Sequence, residues 1–203
     1  MAYDYDSTHK RILKSAERHF LDIGFRSASI RAICKDAGVT NGAFYAHFDS
    51  KEQLFAALVG PCVDSFNQAY EDCADLTVES REDFLGMFQS SYPSIETLIH
   101  YVYQHRTEFT LVLKCSGGST YEGFVDRMVE SETRNTMAFL EAGKTYMAHP
   151  GNISERIAGI FSNMAIRQAF NSFLAGMSEE QNIKETRLFS DFCVAGYRET
   201  LGF

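Results

Sequence analysis

The 203-residue sequence predicts an all-α fold. Three observations carry that reading. Proline is scarce, at 3 residues, and leaves long stretches free of the residue that most often breaks helices. Apolar residues recur at spacings of three and four, while no segment shows a convincing period-two alternation. Helix-start signals, a Ser or Asn followed three residues later by Glu or Gln, stand ahead of several apolar runs. With 45% hydrophobic and 23% charged residues the composition is globular, which excludes disordered, collagen-like and low-complexity classes. The chain is long enough to bury a sizeable core.

Residues 8–23 place Ile12, Leu13, Ala16, Phe20 and Leu21 on one helical face, with Ser7 or Thr8 as N-cap and Gly24 as the stop. Lys10, Lys14 and Arg18, with Arg11 beside them, form a basic stripe that reads as solvated surface before it reads as a phosphate-facing edge. Ser29 can cap a short helix over residues 30–36 that turns Ile30, Ile33 and Cys34 inward. A tight turn at Ala37-Gly38-Val39 leads to Thr40, the cap of a third short helix over residues 41–47. Phe44 and Phe48 are its buried anchors, leaving Asn41, Ala43, Tyr45 and His47 on exposed arcs. Two short helices across a glycine-containing turn make a helix-turn-helix. Ser50 and Gln53 form a capping box that opens a fourth helix through Leu54, Phe55, Leu58 and Val59, which Gly60-Pro61 is expected to kink or interrupt.

Further on, Ser80 or Glu82 begins a segment reaching Tyr92-Pro93, and Ser94 restarts one that buries Leu98, Tyr101, Val102, Phe109, Val112 and Leu113 before Gly117-Gly118. Ser119 with Glu122 is expected to open a helix to about residue 143, and Asn152 with Glu155 another to about residue 176. His149-Pro150-Gly151 fills the loop between them, and Ser178 starts the last helix, to about residue 197. The expected architecture is an N-terminal three-helix helix-turn-helix unit, residues 1–55, and a larger C-terminal helical domain, residues 56–203.

No apolar run approaches the roughly 20 residues needed to span a bilayer, and the acidic start does not resemble a secretory signal. The five cysteines are scattered, without a Cys-x-x-Cys pair, so a reducing cytoplasm is the simplest setting and neither a disulfide framework nor a metal site is expected. No Gly-x-Ser-x-Gly, phosphate-cradling Gly-rich loop or His-Glu-x-x-His is present, so no catalytic residue, cofactor or enzyme activity is expected. Charge is unevenly divided. Residues 1–60 hold eight Lys/Arg and seven Asp/Glu, a net of +1, whereas the remainder holds eleven and twenty, a net of −9 within the total of −8. Any polyanion should therefore meet the first sixty residues.

Those residues carry a pattern. Gly24-Phe25 is followed, from Ala28 to Leu54, by Ala-Ser-Ile-Arg-x-Ile-Cys-x-x-Ala-Gly-Val-Thr-x-Gly-x-Phe-Tyr-x-His-Phe-x-Ser-Lys-Glu-x-Leu. This resembles the DNA-binding signature of the TetR, or tetracycline-repressor-like, family. Cys34 stands where that family more often carries Ala, a small-for-small exchange. The resemblance implies a homodimeric regulator of transcription, usually a repressor, with a C-terminal ligand-binding and dimerisation domain. The starts of the second, third and fourth helices, at Ser29, Thr40 and Lys51, are natural phosphate seats, because helix N-termini present unpaired N–H groups. By similarity, Tyr45 and His47 should touch the DNA backbone. Arg31 and Asn41 are chemically able to read guanine and adenine, Ala43 a thymine methyl, and Gly42 completes the small face between them.

Paired reading helices require a two-fold dimer with centres about 34 Å apart, and a palindromic double-stranded operator. The helix after Asn152 carries a small-residue stripe, Ala158, Ser162, Ala165, Ala169 and Ser172, suited to close helix approach, and the last helix offers Leu188, Phe189, Phe192, Cys193 and Gly196. The resemblance implies that these last two helices form the dimer; without it, an intramolecular contact is an equal reading. An apolar or aromatic effector pocket is expected among Phe88, Tyr92, Tyr101, His105, Phe109, Tyr121, Phe124, Met128, Met164 and Gln168, of which most also suit a plain core. An unidentified small molecule bound there would swing the fourth helix and lower operator affinity. The alternatives are a constitutive DNA-binding or partner-recruiting protein without a ligand, and redox gating through Cys34.

Overall fold

The computed structural model describes residues 5–74 and 78–203, with side chains for all of these except residues 73, 74 and 87–94. Among the described residues there is no strand, and no helix is long and apolar enough to cross a membrane. The chain divides into two compact units, Met1–Ser65 with His105–Phe124, and Phe66–Gln104 with Val125–Phe203.

The first unit opens with α1 (Tyr5–Ser27), which starts earlier than expected. Neither Ser7 nor Thr8 is its cap; Thr8 lies buried inside the helix, and Gly24 breaks it with φ 75° and ψ 162°, a conformation only glycine adopts without strain. The helix-turn-helix follows as α2 (Ile30–Ala37) and α3 (Asn41–Tyr45), capped by the Ser29 and Thr40 hydroxyls, which accept from the Ala32 and Ala43 N–H groups. Gly38 closes α2 with φ 65°. Ile12, Phe20, Ile33, Phe44, Leu54 and Phe55 are fully buried, and Phe55 meets Phe20 and Phe25 edge-on at 5.1 and 5.3 Å. Each buried ring contributes about 1.5–3 kcal/mol of transfer free energy.

The fourth helix, α4 (Lys51–Ala74), runs through Gly60-Pro61 without ending. Proline in a helix interior costs about 3 kcal/mol, but the buried Val59, Cys62 and Val63 clamp both sides of the site. Ser50 caps α4 by accepting from the Gln53 N–H, while the Gln53 side chain reaches back to the Asp49 N–H, one residue before the expected partner. Also in the first unit are α6 (Arg106–Thr110) and a π-helical turn at Leu111–Cys115, with Phe109, Leu111 and Val112 buried. Residues 119–123 form turns rather than the start of a helix. Gly118 and Gly123 both have positive φ, 93° and 77°, so the Ser119 hydroxyl accepts from the Tyr121 N–H and Glu122 from the Gly118 N–H instead of forming a capping box.

The second unit contains α5 (Arg81–Gln104), α7 (Phe124–Ala142, entering from the first unit's last residue), α8 (Glu155–Leu174) and α9 (Glu179–Leu201). The backbone of α5 passes Pro93 and Ser94 as one helix, anchored by buried Phe84 before them and by buried Ile99, Val102 and Tyr103 after them. The cap of α8 is Ser154, not Asn152. Asn152 instead donates through Nδ2 to the Thr200 carbonyl at 3.0 Å, and the Ala148 and His149 N–H groups bond the Gly202 and Leu201 carbonyls, so this loop fastens the end of α9. Phe84, Leu140, Met147, Ile153, Ala158 and Leu201 form a core here. The small-residue stripe of α8 faces inward: Ala158 and Ser162 are buried, and Ala169 accepts from Asn182 of α9 through its carbonyl. Ile160 and Met164 of α8, and Leu188 and Phe192 of α9, are the large apolar side chains left exposed, at 45%, 46%, 70% and 70%.

Gly143 presses its Cα against the fully buried Phe84 ring, where an added Cβ would overlap the ring carbons. Gly143→Ala should lower the stability of the protein by about 1–3 kcal/mol through overpacking, measured as a shift of the urea unfolding midpoint at unchanged slope.

Candidate functional site

The outer face of the helix-turn-helix is assembled from main-chain contacts inward. Arg11 of α1 donates from Nε and Nη2 to the Ala37 carbonyl at 2.9 and 2.7 Å and from Nη2 to the Gly38 carbonyl at 2.6 Å. Its charge neutralises the carbonyl end of α2 instead of adding to a basic stripe. Ser15 donates to the Ile33 carbonyl at 3.0 Å and to Asp36 at 2.6 Å, and Arg18 pairs with Asp36 at 2.7 Å. The Ser15 hydrogen bond, followed by the Arg18 charge, holds the Asp36 carboxyl below its ordinary value. These contacts fix α2 on α1, and the fully buried Phe44 and nearly buried Phe48 seat α3.

What remains outside is a polar face. Ser29, Arg31, Thr40, Asn41, Gly42 and Tyr45 are exposed and Ala43 is half-buried. Among the described residues the side chains of Arg31 and Asn41 have no hydrogen-bond or ion-pair partner, and the Tyr45 hydroxyl has none either. The Ser29 and Thr40 hydroxyls accept from helix N–H groups and keep their own protons for another acceptor.

Two of the expected contact residues point elsewhere. Lys51 turns inward, donating from Nζ to the Phe25 carbonyl at 2.6 Å and the Ala28 carbonyl at 2.9 Å, with Nζ 4.4 Å from the Phe25 ring centroid. Burial pulls its ammonium below the ordinary lysine value. Its three protons are directed at main-chain oxygens, and this is a clamp on the segment between α1 and α2. His47 packs its ring 4.0 Å from Tyr5 and 5.4 Å from His9. Both of its ring nitrogens, with Nδ1 of His9, are buried and without a hydrogen-bond partner. Burial, and then His9, hold the imidazole below its ordinary value of 6.5. Cys34 is 2% exposed and burial pushes its thiol up, which leaves little thiolate for oxidation.

The second unit contains a partly open cavity of about 140 Å³. Phe66 and Tyr70 of α4, Ile95, Leu98, Ile99, Val102 and Tyr103 of α5, Met128 and Glu132 of α7, Ala165, Ile166, Ala169 and Phe170 of α8, and Asn182 and Thr186 of α9 line it. Of the expected pocket residues Met128 is among these, and Gln168 touches the wall by accepting from Thr186 at 2.9 Å. Tyr101 is tilted against Phe66 with ring centroids 6.1 Å apart but lies outside the lining. His105, Phe109, Tyr121 and Phe124 belong to the first unit, where Tyr121 packs on Phe55 and Phe109 on Phe124. Met164 is exposed, and the side chains of Phe88 and Tyr92 lie outside the described residues. The polar lining residues Tyr70, Glu132, Asn182 and Thr186 were not anticipated. Asn182 and Thr186, four apart on a face continued by Phe189, were the available signal.

A pair of short helices that presents exposed arginine, asparagine and tyrosine side chains, their polar ends without partners among the described residues, defines a helix-turn-helix protein with an open recognition face. Comparison with known proteins makes this specific. Residues 12–58 match the family described as bacterial regulatory proteins, tetR family. The chain is 31% identical over 96 residues to the HTH-type transcriptional repressor KstR2 of Mycobacterium tuberculosis (strain ATCC 25618 / H37Rv), covering 47% of this chain and 48% of that protein. It is 42% identical over 59 residues to the HTH-type transcriptional regulator UidR of Escherichia coli (strain K12), covering 29% and 30%. The chain thus spans about half the length of the first of these relatives, or less of the other. Among solved structures, a TetR-like transcriptional regulator from Rhodococcus sp. RHA1 superposes with a TM-score of 0.60 at 18% identity, covering 93% of this chain and 96% of that one. NalD, the secondary repressor of the MexAB-OprM multidrug efflux pump in Pseudomonas aeruginosa, gives 0.57 at 20% identity, covering 90% and 93%. Residues 12–58 thus carry the sequence pattern of the tetR family, and the fold of the chain is shared with these solved regulators.

The inward placement of Lys51 sets one expectation. Lys51→Ala should destabilise the protein by about 1–3 kcal/mol, read by urea denaturation, because it strands carbonyls that now receive a charged donor. Stability equal to wild type would return Lys51 to the surface. His47 sets another: its imidazole protonates less readily folded than unfolded, so its contribution is complete above the ordinary value and is lost as pH falls below it. Between about pH 7.5 and 5.5 the wild-type melting temperature should fall further than that of His47→Phe, which keeps the ring contact without the proton.

Proposed function

We propose that this protein is a dimeric, sequence-specific double-stranded-DNA-binding regulator of transcription, acting as a repressor released by a small, largely apolar or aromatic molecule. The observation that carries the reading is that, among the described residues, the side chains of Arg31 and Asn41 and the hydroxyl of Tyr45 have no hydrogen-bond or ion-pair partner on the exposed face of α2 and α3. Small Gly42 and half-buried Ala43 let this face approach a major groove closely, with Asn41 matched to adenine and Arg31 to guanine. Ser29, Thr40 and Tyr45 would donate to phosphates and set register. His47 and Lys51 act beneath this face and brace it. The relatives' printed names, a transcriptional repressor and a transcriptional regulator, agree with this reading.

The dimer is formed by α8 and α9, through Ile160 and Met164, four apart, and Leu188 and Phe192, four apart, rather than through the small-residue stripe. The cavity holds the effector. Helix α4, which begins at Lys51, supplies Phe66 and Tyr70 to the cavity wall, and it is the element through which occupancy would alter DNA affinity.

Asn41→Ala should lose roughly 10- to 100-fold in discrimination at one base pair per half-site, while affinity for unrelated duplex stays unchanged. Fluorescence anisotropy on duplexes varied one base pair at a time reads this, and an intact preference profile would remove Asn41 from base reading. Leu188→Glu with Phe192→Glu should shift sedimentation from dimer to monomer and weaken operator binding by on the order of 100-fold or more.

A further inference from the structure

We propose, resting on the reading of the cavity as the effector site, that its guest is an uncharged hydrocarbon of about one ring in size, held without a hydrogen bond. The site would then recognise the unoxidised hydrocarbon and reject the alcohols and acids that oxygenation makes from it, and amines with them. Most of the wall is apolar, including Phe66, Ile99, Val102, Met128, Ala165 and Phe170, and among the described residues no Lys, Arg or His lines it. Size agrees with one ring, since about 140 Å³ is close to engineered apolar cavities of about 150 Å³ that stay dry and take up benzene.

The polar side chains that do reach the wall are bound to other groups of the protein. Tyr70 donates its hydroxyl proton to Glu132 at 2.5 Å, and Asn135 donates to the same hydroxyl at 3.3 Å. Asn182, 1% exposed, spends both amide protons, on the Ala169 carbonyl at 3.0 Å and on the Tyr103 hydroxyl at 3.3 Å. Tyr103 passes its own proton to the Met177 carbonyl at 2.9 Å. The Thr186 hydroxyl lies 2.9 Å from the Gln168 side-chain oxygen and 3.3 Å from that of Asn182. A guest hydroxyl, ammonium or carboxylate would have to break one of these bonds to make its own, or give up its water with no return. A hydrocarbon surrenders no hydrogen bond on entry and gains from apolar surface leaving water.

Toluene and phenol exchange a methyl for a hydroxyl at nearly constant shape, and benzylamine and benzoate add a charge of either sign. Calorimetric titration of the full-length protein without DNA should show toluene binding roughly 10-fold or more tighter than phenol, with benzylamine and benzoate weaker still. Nuclear Overhauser contacts from toluene to the Ile99 and Val102 methyls should place it in the cavity, and Ala165→Leu, which fills the space, should abolish its binding. Phenol, benzylamine or benzoate bound at those methyls as tightly as toluene would overturn the hydrocarbon selection and leave the cavity as a ligand site. Absence of binding by all four, or toluene bound without contact to those methyls, would overturn both. The predicted order of affinities without release of a selected DNA duplex would uphold the selection and reject the effector role.

Discussion

A five-residue helix cannot hold its own shape in water, and everything proposed for α3 depends on what holds it from beneath. Helix nucleation fixes several residues for one hydrogen bond, so the segment from Asn41 to Tyr45 owes its conformation to the Thr40 cap and to the burial of Phe44 and Phe48. Its platform is bound by cations captured on main-chain carbonyls: Arg11 on Ala37 and Gly38, and Lys51 on Phe25 and Ala28. Orientation of the exposed side chains follows from these contacts.

This division of labour explains why two of the expected contact residues, Lys51 and His47, point inward. A lysine at a helix start and a histidine beside the turn are chemically suited to phosphate, but each has a better-desolvated alternative within reach. Lys51 finds three carbonyls around the break in α1, and His47 finds tilted ring contacts with Tyr5 and His9. Among the described residues Arg31 and Asn41 have no such inner partner, and both are exposed.

Much of the helix-turn-helix was legible because its signals are local. A hydroxyl cap, a glycine with positive φ and aromatic anchors four apart decide conformation within a few residues, and Ser29, Gly38, Thr40 and Phe44 behave accordingly. The larger unit depends on competition between distant groups. Gly60-Pro61 and Pro93 read as breaks, but burial on either side outweighs the lost N–H bond in each helix. Ser119 and Asn152 read as caps, but glycines in turns and the carbonyl of Thr200 claim those segments instead. The cavity was least legible. Bulky aromatic residues suit a core and a pocket equally, and the polar members of this wall, Tyr70, Glu132, Asn182 and Thr186, become neighbours only when α4, α5, α7, α8 and α9 are brought together.

The central claim is that the exposed face of α2 and α3 reads duplex DNA as one half of a symmetric pair. Enrichment of bound duplexes from a random pool tests it most directly. The account requires a two-fold symmetric motif with half-site centres about 34 Å, or one helical turn, apart. Recovery of no motif at low ionic strength, or of a single asymmetric site bound by a monomer, would contradict it.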